Sequence, residues 1–432
     1  MTHIGREKIY LWAVNGCRLL LAVAFLFSGF VKGIDPLGTC YKMEDYLSSL
    51  QLGDSVAAPL LLTASVVLAS LEFWTGSCLL WGVRRISSSW MAFLLMCIMW
   101  PLTLWIALAN PVSDCGCFGD AWVLTNWQTF GKNCLLWLAA ACVVRSPQRI
   151  VRFVTEKAEW IVPFYSGIFI FILSTYCLYH LPIIDFRPYR IGTDIRQAMS
   201  IPEGVEPTQW ETLFTLEKDG KQREFKLEEY PDSTWSFVGS RTVVKHKGYE
   251  PPIQDFSITS LESGEELTDS LLQHRGYTFL LIANRLEEAD DSDIDLINEL
   301  YDYSVEHGYG FLGITASSDE EIERWRDRTG AEYPFAQGDD IMLKTVIRAN
   351  PGMILLRDGV ILQKWNHPDL PDEYQLVGPL EELEIGEAAT HTLHTTLFYV
   401  LLWYLLPMAL VATVGGRFRR KPTNLEQQTT NP

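Results

Sequence analysis

The sequence predicts a polytopic α-helical membrane protein that carries one α/β soluble domain, and three observations predict it. Six apolar stretches lie near residues 10–32, 57–81, 88–109, 127–145, 161–181 and 393–415. Each is long enough to cross about 30 Å of hydrocarbon, which takes roughly 20 helical residues. A polar stretch of about 200 residues separates the fifth from the sixth. Charge is segregated in the same way: residues 182–390 hold 42 acidic and 19 basic side chains, a balance of −23, which leaves +5 elsewhere in a chain of −18.

The first apolar run is too long for a signal-peptide core, and no small-residue cleavage pattern follows it before Lys32, so a retained helix is expected. In the second, LASLEFWTGSCLLWG places Glu72 inside a span. A carboxylate at that depth must face the bundle interior and find a partner. A structural hydrogen bond satisfies that requirement as well as a functional role does.

Basic clusters orient the spans. Arg6 and Lys8 precede the first. Arg84 and Arg85 lie between the second and third, and Arg145, Arg149, Arg152 and Lys157 between the fourth and fifth. RFRRK (417–421) follows the sixth. With six spans all of these fall on one side, expected to be the cytoplasm along with both termini. The loops holding Cys40 and the pair Cys115/Cys117 then fall outside with the soluble domain. An acidic outer domain without a basic stripe speaks against nucleic-acid binding.

All nine cysteines precede residue 180, so the soluble domain is no disulfide scaffold. Six of them sit in apolar helices, where free cysteine behaves as a small hydrophobe. NPVSDCGCFGDAW (110–122) places Cys115 and Cys117 around Gly116 in an outward loop. Gly116 permits the tight backbone that a bridge between them needs. Such a ring departs from relaxed disulfide geometry and reduces more easily. A helix beginning near Asn126 and Trp127 favours a thiolate if its N-terminus points at the pair, whereas Asp114 opposes one. Two other readings stay open, an inert staple and half of a metal site. Zinc wants four ligands, and the outward segments offer no clustered His or Cys partners.

GFVKGIDPLGT (29–39), the Glu72 segment and NPVSDCGCFGDAWVLTNWQTFGKN (110–133) together resemble the DoxX/MauE group of redox-associated membrane proteins, four-helix modules of the cytoplasmic membrane. The likeness covers about 145 residues, and the whole chain resembles a DoxX architecture of the Bacteroidetes type. It implies thiol–disulfide or electron-transfer chemistry at the outer membrane face. For MauE itself it implies help in maturing a disulfide-rich periplasmic enzyme of methylamine oxidation. Cys115 and Cys117 are then the reacting residues, with Asp114, Gly116, Phe118, Gly119 and Glu72 supporting them. Cys40 has no place in the motif and is read as incidental or as a resolving thiol.

The expected domains are a four-helix module (1–150), a fifth span (161–181), a linker and β-rich segment (182–250), an α/β domain (251–370), a sixth span (393–415) and a tail (416–432). TLFTLEKDGKQREFKLEEY gives a hairpin turning at Asp219-Gly220. YTFLLIAN (277–284) and GFLGITAS (310–317) are short apolar runs expected as buried strands. Helices are expected over 291–307 and over 319–330, the second ended by Gly330. NPGMILLRDGVILQKW (350–365) forms a hairpin at Asp358-Gly359. DSDID lacks the central glycine and terminal glutamate of a calcium loop, so it reads as a helix start.

This βαβαββ order resembles the TlpA/peroxiredoxin branch of thioredoxin-like proteins, and Pro351 falls where that family carries its cis-proline. The departure lies after the first strand: ANRLEEAD (283–290) stands where a nucleophilic cysteine is expected, and no cysteine occurs anywhere in the domain. Fold alone does not separate substrate presentation from plain protein binding.

The expected function is therefore thiol–disulfide or electron transfer through Cys115/Cys117 in the bacterial inner membrane, as an oxidoreductase or an accessory subunit. The alternative is a non-catalytic cell-envelope assembly protein with a redox-dead thioredoxin-like domain. A transporter rests on Glu72 alone, without internal repeats or broken helices. Expected partners are membrane lipid and a periplasmic protein. No resident cofactor or metal is expected; six spans could hold a quinone, but no motif selects a site for one.

Overall fold

The computed structural model describes residues 3–52, 56–112, 115–218, 221–227, 231, 234–246, 248–388 and 393–419. Asp114, the turn at Asp219-Gly220 and the tail beyond 419 lie outside the described residues. The chain forms two compact units. One holds residues 1–187, 365–370 and 390–432, and the other holds 188–364 and 371–389. Residues 365–370 belong to the helical unit: Asn366 Nδ2 donates to Tyr179 O at 2.7 Å, and Asp369 meets His180 at 2.6 Å.

The helical unit is built from α1 (His3–Ile34), α2 (Pro36–Ser49), α3 (Ala58–Trp81), α4 (Arg85–Ala109), α5 (Asn126–Arg145), α6 (Ile161–Tyr179) and the chain's final helix, Leu393–Arg419. Among the described residues five helices are long and apolar enough to cross a membrane: α1, α3, α4, α6 and the final one. The stretch expected as the fourth span, α5, differs. Its 20 residues include Asn126, Lys132 and Asn133, which lower its apolarity. It still packs against α1 and α4, and Asn133 Nδ2 donates to Thr103 Oγ1 of α4 at 3.2 Å.

The segment after span one, expected as a loop, is the helix α2. Pro36 opens it, where a missing N–H costs nothing, and Asp35 caps it by accepting from Gly38 N. The first and third helices touch backbone to backbone. A Cβ on Gly29 would lie 2.4 Å from Phe73 N, and one on Gly76 would lie 2.6 Å from Leu26 N. Small residues permit this approach where no hydrophobic effect drives helices together in lipid. At the other end of α1, Asn15 and Arg18 hold the segment after α5: Arg18 donates to Val151 O at 2.6 Å, and Asn15 Oδ1 accepts from Val151 N at 3.0 Å. Tyr404 of the final helix donates to Ser77 Oγ at 2.6 Å and lies 3.0 Å from Ser166 Oγ, which ties that helix to α3 and α6.

The second unit begins with a one-turn helix, α7 (Ile195–Met199), and a three-stranded antiparallel sheet. Its strands are β1 (Gln209–Lys218), β2 (Lys221–Lys226) and β3 (Ser236–His246), in the order β2-β1-β3. The expected hairpin is the β1/β2 pair, and β3 covers the other edge of β1.

A six-stranded sheet follows, ordered β4-β7-β6-β5-β8-β9. It comprises β4 (Ile258–Ser260), β5 (Tyr277–Ala283), β6 (Gly310–Thr315), β7 (Phe335–Gly338), β8 (Gly352–Arg357) and β9 (Val360–Asn366). Its helices are α8 (Thr268–Gln273), α9 (Ile294–His307), α10 (Asp319–Thr329) and α11 (Asp340–Val346). β5, β6 and β7 run parallel, as helical crossovers require, and β8 pairs antiparallel with β5. Every residue of β5 is buried, which explains its uninterrupted apolar run. Parallel strands with crossover helices, closed by an antiparallel hairpin, make the thioredoxin-like arrangement. Asn350–Pro351 is its cis peptide bond, immediately before β8. β7, α8 and α11 have no counterpart among the expected elements, because a strand of 4 residues and helices of 6 and 7 are too short for their period to register in the sequence.

Candidate functional site

The Cys115/Cys117 loop lies between α4 and α5 and is held by three helices. Tyr46 of α2 donates through its hydroxyl to Cys115 O. Ser28 of α1 donates to Cys117 O at 2.7 Å. Asn126, at the start of α5, donates to Asn110 Oδ1 at 2.8 Å and to Val112 O at 3.0 Å. Gly116 and Gly119 both adopt positive φ, +62° and +50°, and Gly119 N closes a turn on Gly116 O at 3.0 Å. These left-handed positions are the reason the motif places glycine there.

Both cysteines are free thiols, 2.8 Å apart at sulfur, and only 7% and 8% exposed. The pair shares one S–H hydrogen bond, so its two members titrate apart. Either sulfur can donate; with Cys115 as the donor, Cys117 is lowered to about 7. Burial opposes the shift, the Lys132 and Lys32 ammoniums assist it, and Glu72 opposes it. Cys115 is pushed up, first because it retains the shared proton and then by burial. The arrangement supplies one incipient thiolate and one adjacent thiol, as thiol–disulfide exchange requires.

Beneath the loop, Lys32 donates to Ser28 Oγ at 2.7 Å and to both oxygens of Glu72, at 2.9 and 2.7 Å. The partner that Glu72 needs is thus Lys32, one helix away, and both are buried. Sequence reasoning missed Lys32 and Ser28. The available signal was their spacing of four on one helical face, with Gly29 between them. It also missed Lys132, whose ammonium lies 3.8 Å from the centroid of the Phe118 ring. Phe118 is held edge-on against Phe27 at 5.1 Å and stacked on Trp122 at 5.8 Å.

The other expected site residues are placed as follows. Gly119 packs against α1, where an added Cβ would meet Val31 at 2.8 Å. Cys40 sits on α2 with its thiol 3.8 Å from Glu44 Oε1. Asp114 lies outside the described residues. Pro351 belongs to the other unit, beside Asn284 and Arg285. There Asn350 Nδ2 donates to Arg285 O at 2.8 Å, and Asn284 Nδ2 to Asp340 Oδ1 at 3.2 Å. Among the described residues no group of three His, Cys, Asp or Glu is placed to hold a metal ion.

A search of curated proteins found none that matches the chain. Residues 210–247, which span the three-stranded sheet, match a domain of unknown function (DUF8463). The solved structures include a similar chain, a candidate protein disulfide isomerase from Bacteroides thetaiotaomicron. It is 19% identical over 28% of this chain and 77% of its own, with a TM-score of 0.23. The helices that carry Ser28, Lys32, Glu72, Cys115, Cys117 and Lys132 match, over residues 8–145, the family of methylamine utilisation protein MauE.

Proposed function

We propose that this chain is an inner-membrane thiol–disulfide exchange protein acting through Cys117 and Cys115 at the periplasmic face. What carries the reading is the pair of sulfurs 2.8 Å apart, one of them lowered toward ionisation, in the region that matches MauE. The Cys117 thiolate attacks a disulfide of a periplasmic protein. One sulfur of that disulfide leaves with the electron pair, and a mixed disulfide forms. Cys115, giving up its proton to the departing sulfur, then attacks Cys117 and releases the partner's second sulfur, which takes a proton from water. The products are a Cys115–Cys117 disulfide and the partner's dithiol. The reverse sequence oxidises the partner.

In this reading α5 is the fourth of six spans despite its polar residues, because it packs along α1 and α4. Both termini are then cytoplasmic and the thioredoxin-like unit is periplasmic. That unit, lacking cysteine, recruits the partner by binding.

The test is Cys115→Ser, which leaves Cys117 able to attack and unable to be released. Acid trapping in cells should capture a mixed disulfide on Cys117, absent from Cys117→Ser, and mass spectrometry identifies the partner. A wild-type pair that stays in one redox state, with no trapped species in Cys115→Ser, overturns the reading. It would favour an envelope assembly protein.

A further inference from the structure

Among the described residues the charged side chains that act on the Cys117 sulfur are two ammoniums and one carboxylate. α1 brings Lys32 and α5 brings Lys132, while α3 brings a single carboxylate, Glu72, already engaged by Lys32. Among the described residues Lys132 has no carboxylate partner. Its ammonium rests on the face of Phe118, the residue after Cys117, close enough to act on both sulfurs. A half-buried ammonium held against an aromatic ring gains from the ring, and a nearby anion compensates its lost hydration further. Cys117, the residue before Phe118, supplies a group able to become one.

We propose that Lys132 is the counter-ion of the Cys117 thiolate, and that Ser28, Lys32 and Glu72 form the positioning device that holds the Cys117 backbone where this pairing works. The inference rests on the exchange reading above and names the cation which that reading lacks. As Cys117 attacks, its negative charge passes to the departing sulfur of the partner and one S–S bond replaces another. Lys132 therefore stabilises the dithiol form and not the disulfide. Among the described residues the other groups near Cys117 are Cys115, Tyr46 and Lys42 of α2, whose stem lies against Gly116, and the Lys32–Glu72 pair.

The experiment uses the reduced full-length protein in lipid nanodiscs, with iodoacetamide labelling of Cys117 followed against pH by mass spectrometry. Lys132→Met should slow labelling at neutral pH about fivefold and move the profile to higher pH, the effect of a thiol that ionises roughly one pH unit later. Lys132→Arg, which keeps the charge, should stay close to wild type. Lys132→Gln, a polar chain of similar reach, gives the same reading if the Met variant does not fold. Ser28→Ala should shrink the effect of Lys132→Met when the two changes are combined, and Ser28→Thr should restore it.

A Lys132→Met or Lys132→Gln profile that overlays wild type overturns the counter-ion. A Ser28→Ala chain that keeps the full effect of Lys132→Met overturns the positioning role. A profile that responds as expected, in a protein whose pair never cycles in cells, keeps the counter-ion and sinks the exchange reading instead.

Discussion

Lys32 of α1 reaches both carboxylate oxygens of Glu72 on α3, and the same ammonium hydrogen-bonds Ser28, which holds Cys117 O. Two buried charges satisfied by each other are costly to separate. Removing one partner of a buried pair typically costs about 3–5 kcal/mol, whereas removing both is often neutral. Lys32→Met should therefore lower the thermal midpoint in detergent substantially, and Lys32→Met/Glu72→Met should recover most of it. Equal losses in the single and double variants would show that the pair contributes no mutual stabilisation.

The glycines of α1 predict a contrast along one helix. Gly29→Ala would force Phe73 away, because its Cβ would sit 2.4 Å from a backbone nitrogen that cannot yield. An added Cβ on Gly16 would meet nothing within 4 Å, so Gly16→Ala should be neutral or stabilise by about 0.5–1 kcal/mol through helix propensity. Thermal melts of the two variants check this directly. Similar melting shifts in both would refute the close approach of α1 and α3.

Reactivity should separate the two cysteines. With Cys117 lowered to about 7, its alkylation rate should rise steeply through neutral pH, while Cys115 stays slow until far more alkaline conditions. The linkage has a definite sign. A thiol whose folded pKa lies below its unfolded value adds stability fully present above the unfolded value, and loses it as pH falls through about 7. Peptide mapping after timed labelling checks the order, and faster labelling of Cys115 would reverse the assignment of the attacking sulfur.

Within the thioredoxin-like unit, Trp325 is 1% exposed and donates to Tyr333 OH at 3.0 Å. Trp325→Ala should cost about 3–5 kcal/mol, a large part of a domain's usual stability of roughly 5–15 kcal/mol. Urea unfolding of the full chain, read by proteolysis of this unit, measures it. A midpoint unchanged from wild type would remove Trp325 from the core that holds the sheet.

The long apolar runs are legible because none needs a polar face: α3 and α4 are apolar on the exposed side as well as the packed one, and every residue of β5 is buried. The hairpin at Asp358-Gly359 is legible because both residues adopt positive φ, +52° and +79°, which is what that dipeptide signals. The sequence marks 127–145 as an apolar run, yet α5 falls short of the other spans in apolarity, since Asn126, Lys132 and Asn133 serve contacts inside the bundle and at the loop. The CxC motif is legible from spacing alone. Its charged surroundings are not, because Lys32, Glu72 and Lys132 come from three separate helices and meet only after packing.

One helix links both ends of the bundle. Asn15 and Arg18 grip the segment around Val151, while Ser28 and Lys32 grip the loop at Cys117. From Asn15 to Lys32 the rise is about 26 Å at roughly 1.5 Å per residue. That rod sets a fixed spacing between the two polar rims, slightly below the usual apolar thickness of a bilayer. Lipid chain length therefore becomes a mechanical variable for this protein: a membrane much thicker or thinner than the rod tilts or stretches it, and the strain is delivered to the grips at its two ends.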